Sequence, residues 1–508
     1  MLNLGFIAAR LGLGRILFVA LMARVAAVIA QDLLVLPLAN SEHWQLARNL
    51  VDGRGFAFDW YGLDQVSRPG SFLPPLYAWV LAGCLLLAGR DTTAAILIAQ
   101  AVNVLLGVAT VVLVARLAAL WRPSGDSIHD PPNGESRTAS GTLPDSLAER
   151  APSSLAALVW AVYPPALGHT AQPQTQVLET CLTSLSCLVF LRYLPGRSLD
   201  GSPARERLRR GSQGGDTDGQ TGGRRQIERQ TIGKGTNAPR AFLLPGIALG
   251  LLLLARPPAA LAWAGWSVLV LWPLRWQGIP SGDSASARRS RRLAWSGLPG
   301  ARLRYVLFNS LVAALILLPW TLRNLEVHGR PVPIATNGGF NFYLGNNAQT
   351  GGGIPPLPWV FNRFPEETRQ SLREASEIER DRWLYGQGAR FWREDPARAW
   401  GAVGRKLIDF VAFRPYLFQA YPPWQAWLMI GSYAVILLPF AFALALSRCR
   451  GEPSHVLLVA IGATLVTGLI FIVSMRFRAA IEPLMLVIAA TAWWNVIRRP
   501  KPVSVPAA

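Results

Sequence analysis

Apolar runs of roughly bilayer-crossing length recur along the chain, at about 13–30, 93–119, 154–170, 176–194, 242–255, 258–274, 305–322, 424–446, 456–475 and 479–496. A lone spanning segment has to satisfy its own backbone hydrogen bonds, so each run predicts a helix. Phe72 to Ala88 is apolar too, but it opens on Pro74-Pro75 and closes at Gly89-Arg90. It predicts a short helix embedded in the outer leaflet rather than a full crossing. The connections are of two kinds. Segments 121–151, 196–240 and 276–303 are rich in Gly, Ser, Pro, Asp and Arg and poor in apolar residues, which predicts no fixed structure. Segments 31–92 and 323–423 carry Trp, Tyr, Asn and Pro among scattered carboxylates and predict order. In the first of these, apolar positions 46, 47, 50 and 51 suit an amphipathic helix that Gly53 ends. In the second, turns are expected at Asn337-Gly338-Gly339, Gly345-Asn346-Asn347 and Gly351-Gly352-Gly353. A helix is expected from Pro365 to Gly388 and an amphipathic one from Pro396 to Phe413. No internal repeat is visible. The pattern predicts an all-α polytopic membrane protein of about ten transmembrane helices. Its parts are a transmembrane module over 1–322, an outer segment over 323–423 and terminal helices over 424–508.

Composition supports that class. The 508 residues are 51% hydrophobic and only 16% charged, against about 25% charged in an average soluble protein. The net charge of +20 raises the question of nucleic acid. The basic residues cluster beside apolar runs, as the positive-inside bias requires, and nucleic acid is set aside on that ground. Arg197 to Arg240 holds ten basic residues against five acids, and Arg275 to Arg304 seven Arg against Asp283 alone. Both fall inside, with Arg498, Arg499 and Lys501, so both termini are expected in the cytoplasm. Segment 31–71, with three Arg against five acids, falls outside. Segment 121–151 runs against this scheme, with Arg122, Arg137 and Arg150 facing five acids; the larger loops decide. Arg10 and Arg15 before Ile16 to Ala30 read as an uncleaved first span. Cys84, Cys181, Cys187 and Cys449 show no CxxC or Cys/His spacing, which excludes a disulfide framework and a zinc site. His129 and His455 lie away from the outer side; His43, His169 and His328 lie on it without ligand spacing. No metal or other cofactor is expected.

A few polar residues stand where chemistry is conceivable. Glu42 opens the amphipathic helix at the mouth of the first span, where the helix dipole alone would also favour a carboxylate. Glu179 stands in the first turn of the fourth span, after Gln172, Gln174 and Gln176; a carboxylate at such depth is costly. Arg256, Arg476 and Arg478 sit on the outer side against the charge bias. Guanidinium groups there suit a phosphate at headgroup depth through bidentate bonds. Snorkelling to lipid is the simpler role, and Glu482 is spaced to pair with Arg478. Tyr343, Trp359, Trp383, Trp392, Trp400, Tyr416, Tyr421 and Trp424 read as an interface belt or as platforms for a sugar.

Several segments in order resemble one family. These are Leu46-Ala47-Arg48-Asn49-Leu50-Val51-Asp52-Gly53-Arg54-Gly55-Phe56; Leu73-Pro74-Pro75-Leu76-Tyr77; Tyr163-Pro164-Pro165 leading to Glu179; and Ala255-Arg256-Pro257. They continue with Pro319-Trp320-Thr321-Leu322-Arg323-Asn324; Thr336-Asn337-Gly338-Gly339-Phe340-Asn341-Phe342-Tyr343-Leu344-Gly345-Asn346-Asn347; and Arg476-Phe477-Arg478 followed by Pro483. Together they resemble the membrane glycosyltransferases of the GT-C superfamily, in particular the bacterial group similar to protein O-mannosyltransferases and aminoarabinose transferases. The resemblance spans nearly the whole chain. It implies a GT-C-like helix bundle in a bacterial inner membrane. It also implies transfer of a sugar from a polyprenyl-phosphate donor to an acceptor on the outer face, with inversion. The residues it brings forward as catalytic are Glu42, Asp52 and Glu179. Those for the donor phosphate and lipid are Arg68, Arg256, Arg476 and Arg478. Those for the substrate cavity are His43, Tyr77, Asn337, Tyr343, Asn346 and Asn347. One departure stands out: in register, the family's catalytic Asp falls on Ala39 and its Tyr on His43. The acid is then Glu42, or Asp52, Asp59 or Asp64, or the chain is a non-catalytic scaffold of the same fold. A lipid-linked sugar transporter is the other reading, though the paired halves usual in transporters are missing. The partners implied are the polyprenyl-phosphate sugar, an acceptor of unspecified class and the bilayer.

Overall fold

A computed structural model describes residues 2–34, 41–61, 63–64, 68–120, 145–194, 238–272, 299–350, 358–411, 422–445 and 452–497. The helices are α1 Leu2–Leu34, α2 Glu42–Val51, α3 Pro75–Leu87, α4 Thr92–Ala119, α5 Asp145–Ala161, α6 Pro164–Ala171 and α7 Gln176–Tyr193. They continue with α8 Ala238–Ala255, α9 Ala259–Leu271, α10 Pro299–His328, α11 Gly338–Gly345, α12 Pro358–Asn362, α13 Glu366–Glu374 and α14 Glu377–Glu394. The last are α15 Pro396–Val411, α16 Pro423–Ala445, α17 Glu452–Ile470, α18 Met475–Ala479 and α19 Glu482–Ile497. A two-stranded antiparallel ribbon, β1 Ala57–Phe58 and β2 Arg68–Pro69, interrupts the series. Among the described residues, five helices are long and apolar enough to cross a membrane: Arg10–Gln31, Thr92–Ala119, Gly300–His328, Pro423–Ala445 and Pro453–Ile470. Shorter apolar helices pack among them, as the hydrophobic pattern predicts. The protein is an all-α polytopic membrane protein.

Several boundaries differ from the pattern, each for a local reason. The apolar stretch 154–170 is two helices, because Tyr163 takes an extended conformation before Pro164 and Pro165, and a residue before proline is pushed out of the α region. The stretch 145–151, expected without structure, is the first part of α5, where helix formers run on into the apolar stretch. Residues 238–240 and 299–303 likewise belong to α8 and α10. The remainder of those three loops lies outside the described residues, as do Gly351-Gly352-Gly353, Tyr416 and Tyr421. The limit set at 322 falls inside α10, which runs on to a left-handed Gly329 whose N–H caps Leu325 O at 2.8 Å. In the outer segment, the turns expected at Asn337 and Gly345 bracket α11 instead, and the helix expected from Pro365 breaks at Ala375 into α13 and α14. A Ser376–Glu379 capping box starts α14.

Helices broken inside a bundle leave carbonyls that lipid cannot satisfy. Buried polar side chains meet them here. Arg24 on α1 donates to Ala161 O at 3.0 Å and Trp160 O at 3.5 Å, the last carbonyls of α5. Gln100 and Asn103 on α4 donate to Ala171 O and Gln172 O at the end of α6, at 3.0 and 2.8 Å. Lys406 on α15 and Asn346 after α11 donate to Leu469 O and Ile470 O at the end of α17, at 3.0 and 2.8 Å. The core has three main parts. One fills the bundle around Trp160, Phe190, Trp266 and Tyr433. A second packs α2 and α3 on the neighbouring helices through Trp44, Tyr77, Leu81, Leu178 and Leu252. The third joins the ribbon to α11, α12 and α14 through Phe56, Trp60, Phe72, Phe340, Phe361 and Leu384.

Candidate active site

The site forms where α2, α3 and the turn between the two strands meet the first turn of α7, the α8–α9 junction and α18. Ser41 caps α2, its hydroxyl accepting from Trp44 N at 3.3 Å, so Glu42 occupies the first helical position. At the far end Gly53 N donates to Leu50 O at 3.2 Å and Arg54 N to Asn49 O at 2.8 Å, a Schellman closure built on left-handed Gly53. The buried Asn49 amide holds Ala57 O at 2.7 Å and ties α2 to β1. Trp44 and Ala47 bury against the neighbouring helices. Glu42 is thereby fixed at the end of α2 that faces the bundle mouth.

Between the strands, Trp60 and Tyr61 both take left-handed backbone angles, φ 52° and 59°. The turn delivers the Tyr61 hydroxyl onto Glu42 Oε1, 3.1 Å away, as donor. Burial and the Glu42 carboxylate push this phenol well above its ordinary range, so it stays protonated. His43, on the next position of α2, is buried with its ring edge-on to Tyr77 of α3 at 5.8 Å. Burial pulls the imidazole down to about 4 although Glu42 acts the other way; Arg476 adds to the lowering. It is therefore neutral at neutral pH. Arg476, on α18, is exposed, and its charge acts on His43, Tyr61 and His169. Behind it, Arg256 Nη1 bonds Glu179 Oε2 at 3.1 Å and Nη2 bonds Phe477 O at 2.9 Å. That pair links α7, the α8–α9 junction and α18. Arg24, Thr110, His169, Thr180 and Glu482 line a cavity of about 20 Å³, room for a water and not for a sugar ring.

The predicted site residues thus divide. Glu42, His43, Tyr77, Glu179, Arg256 and Arg476 come together. Arg478 is committed elsewhere: it bonds Glu482 at 2.8 Å and Phe410 O at 2.9 Å, and its guanidinium lies 3.4 Å from the centre of the Tyr433 ring. Asp52 is exposed at the opposite end of α2, about 15 Å away by helical rise. Arg68 is exposed on β2. Asp59 accepts from Tyr61 N at 3.0 Å. Asp64 is held in a buried bidentate pair by Arg380 at 2.6 and 2.7 Å. Asn337 is the N-cap of α11 without a side-chain bond. The Asn346 carbonyl oxygen accepts from Trp392 and Lys406 at 3.0 and 3.1 Å. Asn347 accepts from Gln349 N and Thr350 N, both at 3.0 Å, and the half-buried Tyr343 ring packs on Phe364 at 5.8 Å. These last residues build the wall.

Two groups escaped the sequence reading. Tyr61 meets Glu42 across the loop, and no spacing rule joins positions nineteen apart. A second cluster fastens the outer loop: Glu377 accepts from Ser71 N at 2.8 Å and from the Thr336 hydroxyl, and His328 Nε2 lies 2.8 Å from Ser71 Oγ. Asp381, one turn on, accepts from Gly339 N, and its burial raises it to about 6. Among the described residues, no three His, Cys, Asp or Glu side chains gather as a metal-holding group.

No protein-family profile matches the chain, and no curated protein matches it. Solved structures resemble its backbone. The apo Archaeoglobus fulgidus oligosaccharyltransferase has a TM-score of 0.49 at 13% identity, over 96% of this chain and 51% of that one. The same oligosaccharyltransferase with zinc and sulfate gives 0.46 at 12%, over 94% and 49%. The archaeal oligosaccharyltransferase AglB from Archaeoglobus fulgidus, in complex with an inhibitory peptide and a dolichol-phosphate, gives 0.46 at 12%, over 94% and 50%. The chain spans about half the length of the solved structures it resembles.

Proposed function

We propose that this protein is an inverting glycosyltransferase that moves a sugar from a polyprenyl-phosphate donor to an acceptor hydroxyl, at the outer mouth of the bundle. The observation that carries the reading is that Glu42, a carboxylate held by Tyr61, and Arg476, an exposed guanidinium, both act on His43 and Tyr61, with the buried Glu179–Arg256 pair tied to the backbone next to Arg476. The reaction needs those two charges. Glu42 Oε2 accepts the acceptor's proton while the acceptor oxygen attacks the anomeric carbon from the face opposite the phosphate. The carbon–oxygen bond to phosphate breaks, and its electron pair leaves on the polyprenyl phosphate. Arg476 meets the developing phosphate charge. Arg256 holds Glu179 and the backbone of α18, and so sets where Arg476 stands. Neutral His43 shapes the floor beside Glu42 and competes for no proton. The order of motifs shared with GT-C glycosyltransferases supports the same reaction class. Location in a bacterial inner membrane, with the termini in the cytoplasm, belongs to this reading.

The test is sugar release from a panel of radiolabelled polyprenyl-phosphate monosaccharides by purified protein in lipid, with an acceptor-containing membrane extract. Wild type is expected to turn over at least one donor. Removing a general base costs about 10²–10⁴-fold, the drop expected of Glu42→Gln. Turnover that survives the substitution moves the base to Asp59, the next carboxylate of the cluster. No turnover of any donor favours a scaffold.

A further inference from the structure

We infer that Tyr61 is a positioning residue for Glu42: its phenol fixes Oε1 and aims Oε2 at the acceptor hydroxyl. The inference rests on the reading of Glu42 as the base. Three observations support it. Among the described residues, the Tyr61 hydroxyl is the hydrogen-bond partner of Glu42, at 3.1 Å. A protonated phenol can only donate to a carboxylate, so the bond engages Oε1 and leaves Oε2 for the acceptor. The backbone that presents it is unusual, since two successive aromatic residues occupy the left-handed region, which favours glycine. Such a conformation persists only where the surroundings over-determine it, and they do so here. Asp59 Oδ1 accepts from Tyr61 N at 3.0 Å, the Tyr61 ring stacks on Phe340 at 5.2 Å, and Trp60 packs on Phe72 at 4.6 Å. The Arg380 guanidinium lies 5.6 Å from the centre of the Trp60 ring. Packing alone explains the two rings. It does not explain why the buried hydroxyl ends on Glu42. The other charged or titratable groups facing the pair are His43 on α2, Asp59 in the turn, Tyr77 on α3 beside His43, and Arg476 on α18.

The experiment uses the full chain in lipid and Tyr61→Phe, which deletes one oxygen and keeps the ring. Loss of a hydrogen bond to a charged group is expected to move the acid limb of the kcat/KM profile up by about one pH unit. The same loss is expected to lower kcat about tenfold or more, with KM for the donor unchanged within about twofold. Fluorotyrosine at position 61, a stronger donor on the same ring, is expected to move the limb the other way, and it serves if Tyr61→Phe does not fold. A readout without turnover runs in parallel, the infrared carboxylate band that Glu42→Gln removes. Its titration midpoint is expected to rise by about one pH unit in Tyr61→Phe. A limb and a band that superpose on wild type overturn the inference while leaving Glu42 as the base. An active Glu42→Gln protein overturns the base reading itself, whatever Tyr61→Phe does.

Discussion

Two buried cations show how single residues divide between structure and site. Arg380 is almost wholly enclosed, with both nitrogens of its fork on Asp64 and Nε on Leu372 O. Breaking a buried pair by removing one partner leaves a desolvated charge and costs about 3–5 kcal/mol. Arg380→Ala is therefore expected to lower thermal stability sharply, whereas Asp64→Asn with Arg380→Met restores most of it. Equal stability of the single and double variants would show that the pair does not hold the loop. Among the described residues, Lys406 has no carboxylate partner. Burial lowers its amine to about 8 from the usual 10.5, and it donates to the Asn346 side-chain oxygen and Leu469 O. Between those values the unfolded chain holds a proton that the folded chain has released. Its contribution to stability is full above about 10.5 and is lost as pH falls through about 8. Denaturant titrations should show that slope, and Lys406→Met should flatten it.

At the scale of elements, α15 carries three faces. Ala399, Ala402, Lys406 and Phe410 are buried toward the bundle. Trp400, Leu407, Ile408 and Val411 are exposed, Trp400 by 67%, and at 100° per residue they share one stripe. Arg398 and Arg405 fall on the remaining face. Such a helix belongs at the headgroup boundary, apolar stripe in lipid and cations among phosphates. A fluorophore on cysteine at position 407 should be quenched by spin-labelled lipid and spared by iodide; the reverse result would put the stripe in water. This helix and α2 were legible in the sequence because their apolar positions recur at the helical period. The break of α5 from α6 was written in Pro164-Pro165, yet the length of the apolar run hid it. The turn at Trp60 and Tyr61 was not legible, because its left-handed angles are enforced by Phe72, Phe340 and Arg380 from elsewhere in the chain. Arg478 read as a candidate phosphate ligand although Glu482, four residues on, was legible as its partner; what the pattern could not show is its second partner, Phe410 O, a backbone atom.

At the scale of the whole molecule, the bundle and the outer segment share the labour. The bundle supplies Glu179 from α7 and Arg256 from the α8–α9 junction, the loop after α1 supplies Glu42, and α18 supplies Arg476. The outer segment contributes no charge to that group, yet Phe340, Glu377 and Arg380 fasten the loop from above. The fastening joins positions 316 residues apart in the Asp64–Arg380 pair. During synthesis at about 5–20 residues per second, Glu42 leaves the ribosome roughly a quarter to one minute before the residue that locks its neighbourhood exists. The nascent chain consequently lacks this fastening through most of its own insertion, and a truncated product ending before α14 keeps the first spans with the Glu42 loop unlocked.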